Sequence, residues 1–217
     1  MKVKVFTFNP FQENTYVLYD ETKEAAVIDP GCYFKEEKQA LKSFIEQEDL
    51  RPVLLLNTHC HIDHVFGNRF VSQTYNILPQ IHKEDLFLLR GIPQVADIYQ
   101  IPNVELSPEP EQFLPDFGEI TFGNTVLEIR FAPGHAPGHV IFIHHNTKTV
   151  IAGDVIFKGS IGRTDLPGGD YETLMQSINK QVLTLPDDYI IYSGHGEKTT
   201  VGEERVSNPF ILEYNRI

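Results

Sequence analysis

Short apolar, β-branched runs alternate along the chain with charged stretches of helical period. Val3–Phe8, Tyr16–Tyr19 and Ala25–Ile28 are bounded by turn residues and predict three strands in a meander. Asp29-Pro30-Gly31 closes the third with a turn. From Phe34 to Glu48 the apolar positions Leu41, Phe44 and Ile45 stand among charges, which predicts a helix with one buried stripe. Val53–Leu56 is continuously apolar, as in a strand buried on both faces. The second half repeats the texture, with strands near Ile120–Phe122, Val126–Phe131, Val140–His144 and Thr149–Ala152. A helix follows at about Asp170–Leu185, where Leu174, Ile178 and Val182 recur at helical spacing, and then a last strand at Tyr189–Tyr192. Strands interleaved with helices in both halves imply an α/β (α+β) sandwich.

One stretch breaks the pattern. Pro93, Pro102, Pro108, Pro110 and Pro115 all lie between Gly91 and Gly118. Their fixed φ and missing N–H predict an extended surface connector without regular structure. Its flanks do not differ enough in polarity to mark two domains, so a single domain over residues 1–217 is expected.

Charge narrows the function. With 18 Lys+Arg against 30 Asp+Glu the net charge is −12, which excludes a basic nucleic-acid-binding face. No apolar run approaches the roughly 20 residues that span a bilayer, so no membrane partner is expected. The start MKVKVFTFNPF has no apolar core or cleavage site of a secretory signal, and a cytoplasmic location is expected. Two cysteines cannot build a disulfide framework.

The nine histidines are clustered. Thr58-His59-Cys60-His61-Ile62-Asp63-His64 follows the Val53–Leu56 run directly. In an extended chain His59 and His61 project to one side and Cys60 to the other, while Asp63 and His64 lie past the start of a turn. Cys60 therefore reads as a small buried hydrophobe, and Cys32 as structural. Imidazoles and a carboxylate at this spacing suit zinc, iron or manganese. Three further segments each put one ligand-type residue beside glycine just past a strand: Pro133-Gly134-His135, Gly153-Asp154 and Gly194-His195-Gly196. Seven donors exceed the four of a structural zinc site and fit two ions sharing a carboxylate. His139 falls outside the ligand set, and His82, His144 and His145 read as polar turn residues. Phe6, Phe8, Phe11 and Tyr16 read as core or pocket rim.

The series Thr-His-x-His-x-Asp-His, Pro-Gly-His, Gly-Asp and Gly-His resembles that of the metallo-β-lactamase fold hydrolases. Gly153–Asp165 and Gly194-His195-Gly196-Glu197-Lys198-Thr199-Thr200 resemble the glyoxalase II-like branch, in particular its short bacterial hydroxyacylglutathione hydrolase-like members. The resemblance implies a four-layer αβ/βα sandwich. It puts His59, His61 and His135 on one metal and Asp63, His64 and His195 on the other, with Asp154 bridging. Zinc is expected, iron and manganese being the alternatives. Only 22 residues follow His195, too few for the helical glutathione-binding domain of longer glyoxalase II enzymes. Ala136 stands where those enzymes commonly carry threonine, a change expected to be minor.

The implied chemistry is hydrolysis of a thioester such as S-lactoylglutathione. Water held between two ions loses a proton near neutral pH, and Asp63 orients it. Arg163, and less strongly Lys158, are placed to meet an anionic part of the substrate; the alternative for Arg163 is an ordinary pair with Asp165. Lactonases and mono-iron persulfide dioxygenases share much of the signature, and a catalytically silent metal-binding protein is the non-enzyme alternative. A true β-lactamase is disfavoured by the same missing signal.

Overall fold

Backbone pairing builds two six-stranded mixed sheets in the computed structural model, which describes residues 1–216. Ile217, the last residue of the expected domain, lies outside the described residues. The chain divides into two compact units, Met1–Leu114 with Thr121–Val126, and Pro115–Ile120 with Leu127 onward.

In the first unit β1 (Lys2–Phe8), β2 (Glu13–Tyr19) and β3 (Glu24–Ile28) form the expected antiparallel meander. Helix α1 (Lys35–Gln47) carries the chain to β4 (Arg51–Leu56), which pairs parallel to β3 with Ile28 opposite Leu56. A carboxylate opens α1: Glu37 accepts the Phe34 and Tyr33 amides at 2.9 and 2.8 Å, relieving donors that an N-terminus leaves open. The α1 stripe buries Leu41 and Ile45 against Val17, Val27 and Leu55. Two short helices follow β4, α2 (Ile62–Val65) and α3 (Asn68–Tyr75), and then β5 (Pro79–His82) pairs parallel to β4. Helices α4 (Leu86–Arg90) and α5 (Ile92–Tyr99) precede the edge strand β6 (Phe113–Leu114).

Here the expectation for Gly91–Gly118 needs correction. Residues Ile92–Tyr99 are helical, and Pro93 sits in the first turn, where no intrahelical N–H bond is lost. The remaining prolines do exclude regular structure from residue 101 to residue 110, before β6 and the following strand begin.

The second sheet has the order β14-β13-β10-β9-β8-β7. Its strands are β7 (Phe117–Phe122), β8 (Thr125–Phe131), β9 (Val140–His144), β10 (Thr149–Gly153), β13 (Ile190–Ser193) and β14 (Thr199–Thr200). A two-residue hairpin, β11 (Ile156–Phe157) with β12 (Ser160–Ile161), follows β10. Strand β9 is antiparallel to both β8 and β10, and β13 is parallel to β10, so β8, β10 and β13 end on one edge. Helix α6 (Tyr171–Ser177) continues into a π-helical turn over Ile178–Val182, shorter than the helix expected to Leu185. It packs Leu174, Ile178 and Val182 against Ile141, Val150 and Ile191. Helices α7 (Val201–Ser207) and α8 (Pro209–Tyr214) finish the described chain. Among the described residues no helix is long and apolar enough to cross a membrane.

Candidate metal centre

In the first unit four donors lie just beyond the C-terminal end of β4, as the sequence places them. The parallel register of β3 and β4 sets Asp29 beside this segment, and the Asp29 amide donates to the Leu56 carbonyl at 2.9 Å. One Asp29 oxygen accepts the Thr58 amide at 2.7 Å; the other accepts the Thr58 hydroxyl at 2.6 Å and lies 3.2 Å from His64 Nδ1. With its proton given to Asp29, Thr58 Oγ1 accepts from His59 Nδ1 at 3.1 Å. His59 is thereby held with its lone pair on Nε2, the form that binds a metal. The His59 and His64 rings are 4.1 Å apart between centroids, and the His61 ring is 4.7 Å from that of His59. His64 Nε2 lies 3.8 Å from an Asp63 oxygen. One donor atom from each of Asp29, His59 and His64 fits within 4.8 Å.

Asp29 and the buried Glu13 are the residues that the sequence reading missed. Asp29 read as a turn residue; its backbone is left-handed at φ 47°, an uncommon state that here aims the carboxylate at Thr58 and His64. Glu13 Oε1 lies 4.0 Å from His64 Nδ1, and its other oxygen accepts the Thr15 hydroxyl at 2.9 Å. Burial pushes the Glu13 carboxyl well above the usual range. A carboxylate at the end of a buried strand, one register step from a His-rich segment, is the signal that finds Asp29.

The second unit presents three donors on the shared edge of β8, β10 and β13. His135 Nε2 and His195 Nε2 each lie 3.5 Å from the same oxygen of Asp154. His135 Nδ1 donates to the Arg163 carbonyl at 2.8 Å, which again leaves the lone pair on Nε2. Gly134 makes the bend before His135 at φ +124°, where a Cβ would meet the Leu174 amide nitrogen at 2.2 Å. His139 is fully buried, and its Nε2 accepts the Asp154 amide at 3.0 Å. It supports the Asp154 loop instead of adding a donor.

Other expectations divide. Cys60 points into an apolar cluster with Val65, Phe66, Ile81 and Leu89, and burial pushes its thiol well up, so it is the small hydrophobe expected. Cys32 is likewise buried, beside α1. His82 and His144 were read as polar turn residues but are the buried last residues of β5 and β9; each turns its Nδ1 to a neighbouring group, the Glu84 amide or the Thr147 hydroxyl, while His145 does lie in the turn after β9. Arg163 makes a two-pronged pair with Asp165 at 2.7 Å on both arms, and Lys158 lies 3.0 Å from Glu197. The Arg163 guanidinium holds the exposed Asp165 carboxyl down at about 2.

The donor set suits divalent ions: clustered imidazoles with anchored Nδ1 atoms, and carboxylates beside them. The family model described as the metallo-beta-lactamase superfamily matches residues 8–195. Hydroxyacylglutathione hydrolase GloC of Haemophilus influenzae is 40% identical over 213 residues, covering 97% of this chain and 98% of that protein. The probable metallo-hydrolase YqgX of Bacillus subtilis is 34% identical over 97% of this chain and 98% of its own length. Among solved structures, the BLEG-1 B3 metallo-beta-lactamase superposes with a TM-score of 0.88 at 34% identity, over 97% of this chain and 99% of that one. TTHA1623, solved in a di-iron-bound form, gives 0.85 at 35% identity over 96% and 100%.

Proposed function

The chain belongs to the metallo-β-lactamase superfamily and is a metal-dependent hydrolase of that fold; from this premise we propose that it cleaves small anionic thioesters, S-lactoylglutathione among them. Full-length identity of 40% to a hydroxyacylglutathione hydrolase carries the reading. The family match over residues 8–195 draws on both compact units, which supports one metallo-β-lactamase-like domain; a cytoplasmic location is proposed with it.

His59, His61 and His135 would hold one ion and Asp63, His64 and His195 the other, with Asp154 shared. Such ions supply Lewis acidity toward a carbonyl and lower the pKa of water. Zinc is the proposed metal, while likeness to a di-iron protein supports iron as the alternative. The residues do the rest. Asp63 accepts a hydrogen bond from the attacking water at a carboxylate oxygen and orients it, and Asp29 and Thr58 keep His64 and His59 in register. A C–O bond forms at the acyl carbon, the C–S bond breaks, and an acid and a thiol leave. Arg163 and Lys158 take the anionic end of the substrate by exchanging it for Asp165 and Glu197.

Turnover of S-lactoylglutathione by the purified protein, lost in His59→Ala and in Asp154→Ala, is the expected result. Retained turnover in both variants overturns the metal mechanism. A second reading, β-lactam hydrolysis, is supported by the likeness to BLEG-1, and nitrocefin cleavage exceeding thioester cleavage would favour it.

A further inference from the structure

The segment that carries the donors of the first unit is closed at its neck by two buried amides. Asn57 is the residue after β4 and Asn68 the first of α3, so His59, His61, Asp63 and His64 all lie between them. Both side chains are fully buried, and they bond reciprocally. Asn68 Nδ2 donates to Asn57 Oδ1 at 2.9 Å, and Asn57 Nδ2 donates to Asn68 Oδ1 at 3.3 Å. The second Asn57 proton goes to the His64 carbonyl at 3.0 Å. The second Asn68 proton leaves the loop for the Ser107 hydroxyl at 3.0 Å, and that hydroxyl donates in turn to the Pro108 carbonyl at 3.0 Å. A buried polar chain with every donor satisfied holds one geometry, and an interruption anywhere along it strands a donor.

Ser107 belongs to the proline-rich run 101–110, which lacks regular structure but is fastened down as a strap. Its Ile101 and Val104 pack on the cluster that holds Cys60, Ile62, Val65 and Phe66, the apolar back of the donor segment. Its other polar ties are the Tyr33 hydroxyl on the Pro102 carbonyl, Lys38 with Glu105 at 2.7 Å, and Arg90 with Glu109 at 2.8 Å. The two ion pairs face solvent, where such pairs contribute little. The Asn68 bond differs from these ties in leading inward to the neck of the donor loop.

We infer that Asn57, Asn68 and Ser107 are positioning residues for the metal centre: the strap holds the neck of the donor loop closed, and with it the His64 backbone. The inference rests on the metal reading above and deepens it. A loop that is closed for only part of the time binds an ion more weakly, in proportion to the closed fraction. The strap thereby sets metal affinity from outside the ligand set.

Titration of the full chain, stripped by a chelator, with Co2+ tests the relay without any substrate. The visible absorption of Co2+ reports the geometry of its ligands. Ser107 is half-buried in the strap, so truncating it leaves the core intact. Ser107→Ala takes the acceptor from one Asn68 N–H and should weaken Co2+ binding about three- to tenfold, with an altered absorption band. Ser107→Thr keeps the hydroxyl and should restore both affinity and band. Glu109→Gln loosens the same strap at Arg90 but touches neither asparagine, and should match the wild type in both.

Unchanged affinity and spectrum in Ser107→Ala overturn the inference, while the metal reading stands because the wild type still binds. Equal losses in Ser107→Ala, Ser107→Thr and Glu109→Gln overturn it too, since the strap then only braces the fold. A wild-type chain that takes up no Co2+ overturns the metal reading itself, and the relay with it.

Discussion

His139 Nε2 accepts the backbone N–H of Asp154 at 3.0 Å, so a fully buried imidazole steadies the loop that presents the Asp154 carboxylate to His135 and His195. An accepting Nε2 puts the ring proton on Nδ1. His139→Phe keeps the ring but strands the amide, at a cost of about 1–3 kcal/mol in stability. Metal affinity should fall about 10- to 100-fold, as for other residues that orient ligands from behind. Urea unfolding of the metal-free protein gives the first quantity and competitive metal titration the second; undiminished affinity would deny His139 this role.

Asp29 supports the other unit's donors through three contacts. Asp29→Asn keeps one oxygen for the Thr58 amide but turns an NH2 toward either the Thr58 hydroxyl or His64. At least a tenfold loss of metal affinity is expected, larger than in Glu37→Gln, which touches no donor. Equal losses in the two variants would assign Asp29 to general stability alone.

Gly134→Ala tests the bend before His135. A side chain is disfavoured at φ +124°, and its Cβ would strike the Leu174 backbone. The expected destabilisation is at least about 1–3 kcal/mol, read as a lower urea midpoint with an unchanged slope. A neutral outcome would mean that the α6 start yields easily.

Tyr75 supplies a pH dependence away from the metals. Burial, with smaller contributions from Glu46 and Cys32, pushes its phenol up to about 12, and its hydroxyl has no hydrogen-bond partner among the described residues. Unfolded, the phenol loses its proton near pH 10; folded, it keeps it to about 12. Between these values the unfolded chain binds fewer protons, so stability falls as pH rises. Tyr75→Phe should flatten that fall while leaving stability at pH 7 equal or slightly higher. Denaturant melts from pH 8 to 11 would expose an unchanged slope.

Releasing Arg163 from its acid is the complementary test of substrate binding. Asp165→Asn should lower KM for an anionic thioester, and Arg163→Ala should raise it, with little change for a neutral thioester. Shifts of the same size for both substrates would leave Arg163 with only its pair to Asp165.

Most of the strands and the α1 helix could be read from period and turn chemistry, because burial on one or two faces dictates those patterns. The donors were legible because imidazoles are scarce and the strand ends concentrate them. The helix at Ile92–Tyr99 was hidden because proline in a first turn obeys helix rules that its presence elsewhere violates. Asp29 was hidden for a different reason: its task is set by the register of β3 against β4, a pairing between segments that no local window contains. Phe11 was read as core or pocket rim, but the turn that holds it is tied through Asn9 to Glu37 and Asp63, 28 and 54 positions further on.

The turn between β7 and β8 has a bearing on how the chain is made. Asp20, at the end of β2, accepts the Asn124 amide at 2.8 Å and the Thr125 hydroxyl at 2.9 Å, about a hundred residues downstream. Those partners belong to the first compact unit although the chain leaves that unit at Leu114 and returns at Thr121. During synthesis, then, the Asp20 carboxylate gains these two partners only after the tip of a later hairpin, whose flanks belong to the second unit, has left the ribosome; until then it has only its bonds to Thr22.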